Sequence, residues 1–190
     1  EYIKDGNRWV VEMYLSKFFD RVNHDILMDR VSRVIDDKAI LKLIRRYLNA
    51  GIMEDGLVSA RLEGVPQGSP LSPLLSNIML TELDRELEER GLNHVRYADD
   101  CNIYVKSEKA AQRVLTNITK YVEETLKLRV NRDKSGTFRP RDSVFLGYTF
   151  SKANCTRIIV AQKSVKRLWT KLHKIFNTAR GTSLGWAIKT

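Results

Sequence analysis

The stretch His94-Val-Arg-Tyr-Ala-Asp-Asp-Cys-Asn-Ile-Tyr-Val-Lys106 decides the reading of this chain. Two runs rich in β-formers, His94 to Ala98 and Cys101 to Lys106, flank Asp99-Asp100, so the segment reads as two short strands joined at paired acids. Neighbouring carboxylates there point to different faces of the strand yet share one tight turn. Core packing asks for neither of them. Magnesium takes few protein carboxylates, keeps water, and accepts phosphate oxygens as further ligands. Two such ions about 3.5–4 Å apart activate an attacking hydroxyl and stabilise a leaving pyrophosphate. Taken alone, the same residues also suit a solvent-facing Asp-Asp turn.

Upstream of the hairpin, Trp9 to Leu15 reads as a strand, and Ser16 as the cap of a helix from Lys17 to about Val34. Asp36 and Asp37 open a second helix, with Ile40, Leu43, Ile44, Tyr47 and Leu48 at helical spacing and Gly51 as its stop. Glu54-Asp55-Gly56 reads as a turn between two short extended pieces. A Gly/Pro/Ser loop, Gly64 to Pro73, feeds a helix to Arg90 whose buried stripe is Leu75, Met79, Leu83 and Leu87.

Downstream, a helix from Glu108 to Leu126 carries Val114, Ile118, Val122 and Leu126 on one face. Val144 to Phe150 and Thr156 to Ala161 read as strands. The last helix, Ser164 to Phe176, is expected to turn Val165, Leu168, Leu172, Ile175 and Phe176 inward. Strands and helices in irregular order around a tight hairpin predict an α+β fold, an antiparallel sheet with helices packed on one face, rather than a doubly wound parallel sheet.

The 190 residues suffice for one domain with a sizeable core, and 43% hydrophobic with 29% charged residues excludes a disordered tail or a disulfide-stapled miniprotein. Cys101 and Cys155 have no metal-ligand spacing and suit a reducing compartment. No apolar run reaches the length of a membrane span. A chain that opens on Glu1 is expected to be a piece of a longer protein. Its net charge of +10 is uneven: residues 151–190 hold nine Lys and Arg and no acid, while the first 150 hold 24 bases against all 23 acids. Such a segment favours a polyanion, most often nucleic acid, or is a solvated basic helix whose acidic neighbour lies elsewhere.

Five blocks occur in order: Leu15-Ser-Lys-Phe-Phe-Asp20, Gly64-Val-Pro-Gln-Gly-Ser-Pro-Leu-Ser-Pro-Leu-Leu-Ser-Asn77, Tyr97-Ala-Asp-Asp100, Asn131-Arg-Asp-Lys134 and Phe145-Leu-Gly-Tyr148. Together they resemble the reverse transcriptases encoded by bacterial group II introns, over about residues 9 to 150. The resemblance implies a reverse transcriptase palm over residues 1–161 with a residual fingers segment, and over 162–190 the truncated start of a helical thumb, or maturase region. It implies RNA-directed DNA synthesis in the cytoplasm, with two Mg2+ ions, dNTPs, an RNA template with a DNA primer, and intron RNA as partners.

Residue by residue, the resemblance makes Asp99 and Asp100 catalytic metal ligands, joined by the backbone carbonyl of Leu15. Gln67 matches the residue that contacts the incoming nucleotide. Phe19 matches the bulky side chain beneath the sugar, where a ring rejects a 2′-hydroxyl. Lys134 matches a lysine near the departing phosphates, where a cation offsets developing charge. Phe145, Leu146 and Gly147 match the strand that holds the primer end, and Lys163, Lys166, Arg167, Lys171 and Lys174 the nucleic-acid face of the thumb. Read singly, Phe19 is also a core aromatic, Lys134 a surface lysine, and Gly64 to Pro73 a structural loop whose glycines let backbone approach closely.

One position departs from the pattern. Where the family carries its first metal-binding aspartate, this chain has Tyr14, in Glu12-Met-Tyr-Leu15. A neutral phenol is a poor magnesium ligand. Glu12 lies two residues away on the same strand face, about 6–7 Å at Cα, too far for an evident substitute, and Asp20 belongs to the usual pattern. The expectation is therefore a chain that polymerises little or not at all. Tyr14 fits a natural loss in a protein that persists as a splicing cofactor, an introduced change, or a tolerated substitution. A non-catalytic RNA-binding maturase role, and a reverse transcriptase serving defence or diversity generation, stay open beside the enzymatic reading.

Overall fold

The computed structural model describes the chain except residues 51, 55, 56, 60–62, 67, 153–156 and 179–190. Gln67 and the Asp55-Gly56 turn thus lie outside the described residues. Contacts divide the chain into two compact units, residues 1–138 and 139–190.

The first unit is built on strands β1 (Trp9–Met13), β4 (Asn93–Tyr97), β5 (Asp100–Val105) and β6 (Gly136–Phe138), joined antiparallel in the order β4-β5-β1-β6. Strands β2 (Ile52–Glu54) and β3 (Leu57–Ser59) form a separate hairpin. The helices of this unit are α1 (Phe18–Arg21), α2 (His24–Ser32), α3 (Lys38–Asn49), α4 (Ser72–Glu89) and α5 (Glu108–Glu124). Alternation along the strands sorts the two faces of the sheet. Val11, Met13, Cys101, Ile103 and Val105 join the helices in one core, while Glu12, Asp100, Asn102 and Tyr104 occupy the other face. That is the α+β arrangement read from the sequence. The stripes also hold: Leu75, Met79, Leu83 and Leu87 of α4 and Val114, Ile118 and Val122 of α5 are buried, with Leu126 just beyond.

Three local expectations are corrected, and the stripe of α3 is seen to be only partly covered. The helix expected from Lys17 to Val34 is two helices, because Val22 and Asn23 are extended (ψ 120° and 122°). Asn23, not Ser16, is the effective cap, accepting from the amides of Asp25 and Ile26. In α3, Ile44 and Leu48 are buried but Ile40 and Leu43 are exposed, so its apolar stripe is only partly covered. The acids are not both at the hairpin joint: Tyr97 pairs with Asp100, leaving Ala98-Asp99 as the two-residue turn and Asp100 as the first residue of β5.

The second unit holds β7 (Tyr148–Phe150), β8 (Ile158–Val160) and α6 (Gln162–Thr178). The strand expected over Val144 to Phe150 is broken by a tight turn. Phe145 and Tyr148 exchange both backbone hydrogen bonds at 2.9 Å around Leu146 (φ 51°) and Gly147 (φ 83°). Leu168, Ile175 and Phe176 of α6 are exposed rather than inward, Phe176 by 64%. The two-stranded β7–β8 ribbon is too small to cover the apolar side of a five-turn helix.

Candidate active site

The turn that presents the acids is braced at Ala98. Ala98 has φ 54°, a left-handed conformation that costs a side-chain-bearing residue about 1–2 kcal/mol. Arg96 offsets part of that cost by donating from Nη1 to the Ala98 carbonyl at 2.8 Å. Asp99 and Asp100 are both partly exposed. Burial and, second, the charge of Asp99 push the Asp100 carboxyl above its ordinary range, while Lys134 pulls it down. Lys134, itself exposed, is therefore within electrostatic reach of Asp100. Asn131 shapes its approach, since Asn131 Oδ1 and the Asn131 carbonyl both accept from the Lys134 amide, at 3.2 and 3.3 Å.

Tyr14 lies on the same face as Asp100. Its backbone is clasped by the neighbouring segment: Ser135 Oγ accepts from the Tyr14 amide at 3.0 Å, and the Asn131 amide donates to the Tyr14 carbonyl at 2.8 Å. The phenol donates to Glu12 Oε2 at 3.4 Å. Burial first, then the charges of Glu12 and Asp100, push that phenol up to about 12. It is a neutral group beside two carboxylates. Leu15 and Val130 form an antiparallel bridge flanked by Ser16 N to Arg129 O (2.7 Å) and Asn131 N to Tyr14 O. That is the non-hydrogen-bonded pairing, so the Leu15 carbonyl turns away from Val130.

The two phenylalanines divide their work. Phe18 is buried in the core, and Phe19 meets it edge-on at 5.3 Å while lining a groove of about 350 Å³ with Gly68, Ser69, Ser72 and Pro73. The start of the glycine-rich loop is fastened to α1. Gly64 N donates to Val22 O at 2.7 Å, Val65 N to Phe19 O at 2.6 Å, and buried His24 bonds the Gly64 carbonyl through Nε2 at 2.7 Å. Local pattern does not single out His24 or Arg96 as functional residues. Arg96 inside the β-rich run of β4 is the available signal for itself; His24, flanked by Asn23 and Asp25, offers none.

Phe145, Leu146 and Gly147 form the tight turn of the second unit, where Gly147 O accepts from Ala161 N and Ser164 Oγ. Lys163, Lys166, Arg167, Lys171 and Lys174 are exposed along α6. These groups belong to the second unit and are described with it.

An antiparallel sheet backed by helices, with two acids at a hairpin turn and a glycine-rich loop in the same unit, defines the polymerase-palm class. Residues 2–150 match the family model for reverse transcriptases (RNA-dependent DNA polymerases), and the chain belongs to that family. It is 37% identical over 176 residues to protein YkfC of Escherichia coli (strain K12), an alignment covering 74% of this chain and 46% of that protein. It is 40% identical over 80 residues to the group II intron-encoded protein LtrA of Lactococcus lactis subsp. cremoris, covering 42% of this chain and 13% of LtrA. Telomerase from Candida albicans, in complex with the TWJ fragment of telomeric RNA, shares the fold: TM-score 0.65 at 15% identity, over 82% of this chain and 31% of that one. The chain spans less than half the length of these relatives.

Proposed function

We propose that this chain is the palm of a group II intron-type RNA-directed DNA polymerase, and that Tyr14 leaves it with little or no polymerising activity. The observation that carries the reading is the Asp99–Asp100 turn with Lys134 in electrostatic reach, in the unit where Phe19 and the glycine-rich loop line one groove. Asp100 is held above its usual carboxylate range by burial and by Asp99, so a cation at this turn would be welcome. Asp99, Asp100 and the Leu15 carbonyl suit one divalent ion, Mg2+ by the hardness of their oxygens.

They do not suit a bridged pair. Among the described residues, no three His, Cys, Asp or Glu side chains gather where they could hold an ion, and Tyr14 offers a proton to Glu12 instead of a carboxylate. When bound, Mg2+ would supply charge neutralisation for phosphate oxygens and a more acidic attacking hydroxyl. The chain's own part is to seat the nucleotide between Phe19, which excludes a 2′-hydroxyl, and the loop carrying Gln67, and to bring Lys134 to the departing phosphates. Phe145–Gly147 would hold the primer end, and the basic side of α6 the RNA template with its DNA primer.

A second reading is favoured by a specific feature. Residues 151–190 carry nine bases and no acid, and the α6 bases are exposed, which suits binding of intron RNA as a splicing cofactor without any polymerisation. Either role suits the cytoplasm; among the described residues no helix is long and apolar enough to cross a membrane. The palm would end near residue 161 and the thumb begin at 162.

The test is Mg2+-dependent primer extension on an RNA template, with fingers and thumb segments supplied, comparing Tyr14 with Tyr14→Asp. Restoring the carboxylate should raise the rate at least about 100-fold. Equal, brisk extension by both forms overturns the account of Tyr14. Silence of both, with RNA binding intact, favours the splicing role.

A further inference from the structure

Arg96 stands on β4 two residues before Ala98, on the side of the sheet that meets α4, and its side chain is only 12% exposed. Its guanidinium makes a fork with Asp84 of α4: Nε donates to Oδ1 at 2.7 Å and Nη2 to Oδ2 at 2.5 Å. The free edge of the fork is Nη1, which donates to the Ala98 carbonyl at 2.8 Å and, more weakly, to Asn77 Oδ1 at 3.3 Å. Asp84 and Asn77 both belong to α4, so one planar group ties the turn to a single rigid helix at several points.

Stability alone does not explain this arrangement. A half-buried ion pair often breaks even against an apolar contact of the same size. What the pair supplies here is direction, because only a fork fixed by Asp84 can aim a third N–H at the carbonyl preceding Asp99. The turn needs such a hold, since left-handed Ala98 is intrinsically disfavoured. The same helix also anchors the loop: Ser72 Oγ, in the first turn of α4, donates to the Pro66 carbonyl. Loop and acid turn are thus fastened to one element at different points along its length.

We infer that Arg96 is a positioning residue for the acid turn: braced by Asp84 and Asn77, it holds the Ala98 carbonyl and so sets the direction in which Asp99 and Asp100 are presented. The inference rests on the reading of those two acids as the cation-binding pair. It asks nothing of Tyr14.

The test compares the unaltered chain with Arg96→Lys, with Arg96→Asp, and with the charge exchange Arg96→Asp plus Asp84→Arg. The exchange rebuilds the ion pair but leaves the Ala98 carbonyl without its donor; the lysine keeps the charge but loses the fork. Three quantities are read: melting temperature, amide hydrogen exchange over residues 97–101, and Mn2+ affinity by electron paramagnetic resonance. The exchange pair should recover the melting temperature lost in Arg96→Asp alone, while residues 97–101 exchange about tenfold faster and Mn2+ binds about tenfold more weakly, as loss of one charged hydrogen bond predicts. Arg96→Lys should show the same loosening. Native exchange over 97–101 in the lysine variant, or exchange that recovers together with melting temperature in the charge exchange, overturns the inference. If the unaltered chain binds no Mn2+, the metal reading fails, and the exchange measurement still decides whether Arg96 holds the turn.

Discussion

Gly64→Ala is the substitution whose effect the structure constrains most closely. Gly64 has φ 87°, and a Cβ built there would sit 2.7 Å from the Phe19 carbonyl oxygen and 2.8 Å from the Asp20 carbonyl carbon and oxygen. All three are backbone atoms, so no side chain can swing aside. The left-handed conformation alone costs about 1–2 kcal/mol with a side chain present. Relieving the clash means pulling the loop off α1, which endangers Gly64 N to Val22 O, Val65 N to Phe19 O and His24 to Gly64 O. Each buried bond contributes a net of about 1 kcal/mol, so the whole loss approaches about 4 kcal/mol.

Gly68 provides the control. Its φ is 79°, but a Cβ there meets nothing within 4 Å, so Gly68→Ala should cost only the backbone term of about 1 kcal/mol. In a unit of this size about 1 kcal/mol shifts the melting temperature by about 3 °C. Gly64→Ala should therefore melt about 12 °C below the native chain and Gly68→Ala about 3 °C below, by calorimetry or circular dichroism. Equal shifts for the two would refute the argument, since they would mean that the α1 contact contributes nothing beyond conformation.

Three further outcomes follow from named groups. Burial pushes the Cys101 thiol up to about 12, so its alkylation at pH 8, followed by peptide mapping, should be at least about 100-fold slower in the folded chain than in denaturant; comparable rates would show that the site opens freely. Asp100, raised by burial and Asp99, binds its proton more readily folded than unfolded, so its ionisation costs stability as pH rises through the carboxylate range. Asp100→Asn with chelator present should therefore melt above the native chain at pH 7, with the gain vanishing below the carboxylate range; a pH-independent difference would count against it. Asn23→Ala removes the two cap bonds of α2 and should cost about 1 kcal/mol, read as the urea midpoint, whereas Ser16→Ala should cost less.

What local pattern could reveal was set by how local the cause is. The stripes of α4 and α5 and the β4–β5 hairpin follow from spacing and turn chemistry, and all three were legible. The break at Val22-Asn23 was not, because it is fixed by a partner forty residues away: Gly64 N takes the Val22 carbonyl that a continuous helix would have used. The glycines of the loop were legible as a need for close approach, but for Gly64 the approaching group is the chain's own backbone at Phe19 and Asp20. Phe145 to Tyr148 has a strand's composition, and only Gly147 within it hinted at the turn. The apolar side of α6 follows helical spacing faithfully, yet spacing does not say what will cover it.

Tyr14 bears on the fold through its main chain and on the acid turn through the charge it withholds. The fold uses this residue through its main chain, whose amide meets Ser135 Oγ and whose carbonyl meets the Asn131 amide. Any side chain of moderate size preserves those bonds. The phenol then finds its own partner in Glu12, a carboxylate that would otherwise face both position 14 and Asn102 across the strand pair. Placing an aspartate here instead would set a third negative charge near Asp100, whose carboxyl is already held up by burial and by Asp99. In the absence of a cation that change should lower stability, and with a cation it should raise it, through mass action on the folded form. Tyr14 therefore removes an electrostatic demand that a cation at the acid turn would otherwise meet, so this unit keeps its fold without one. Melting Tyr14→Asp and the native chain with and without Mg2+ measures this directly: a Mg2+-dependent gain confined to the aspartate form supports it, and identical Mg2+ responses would sink it.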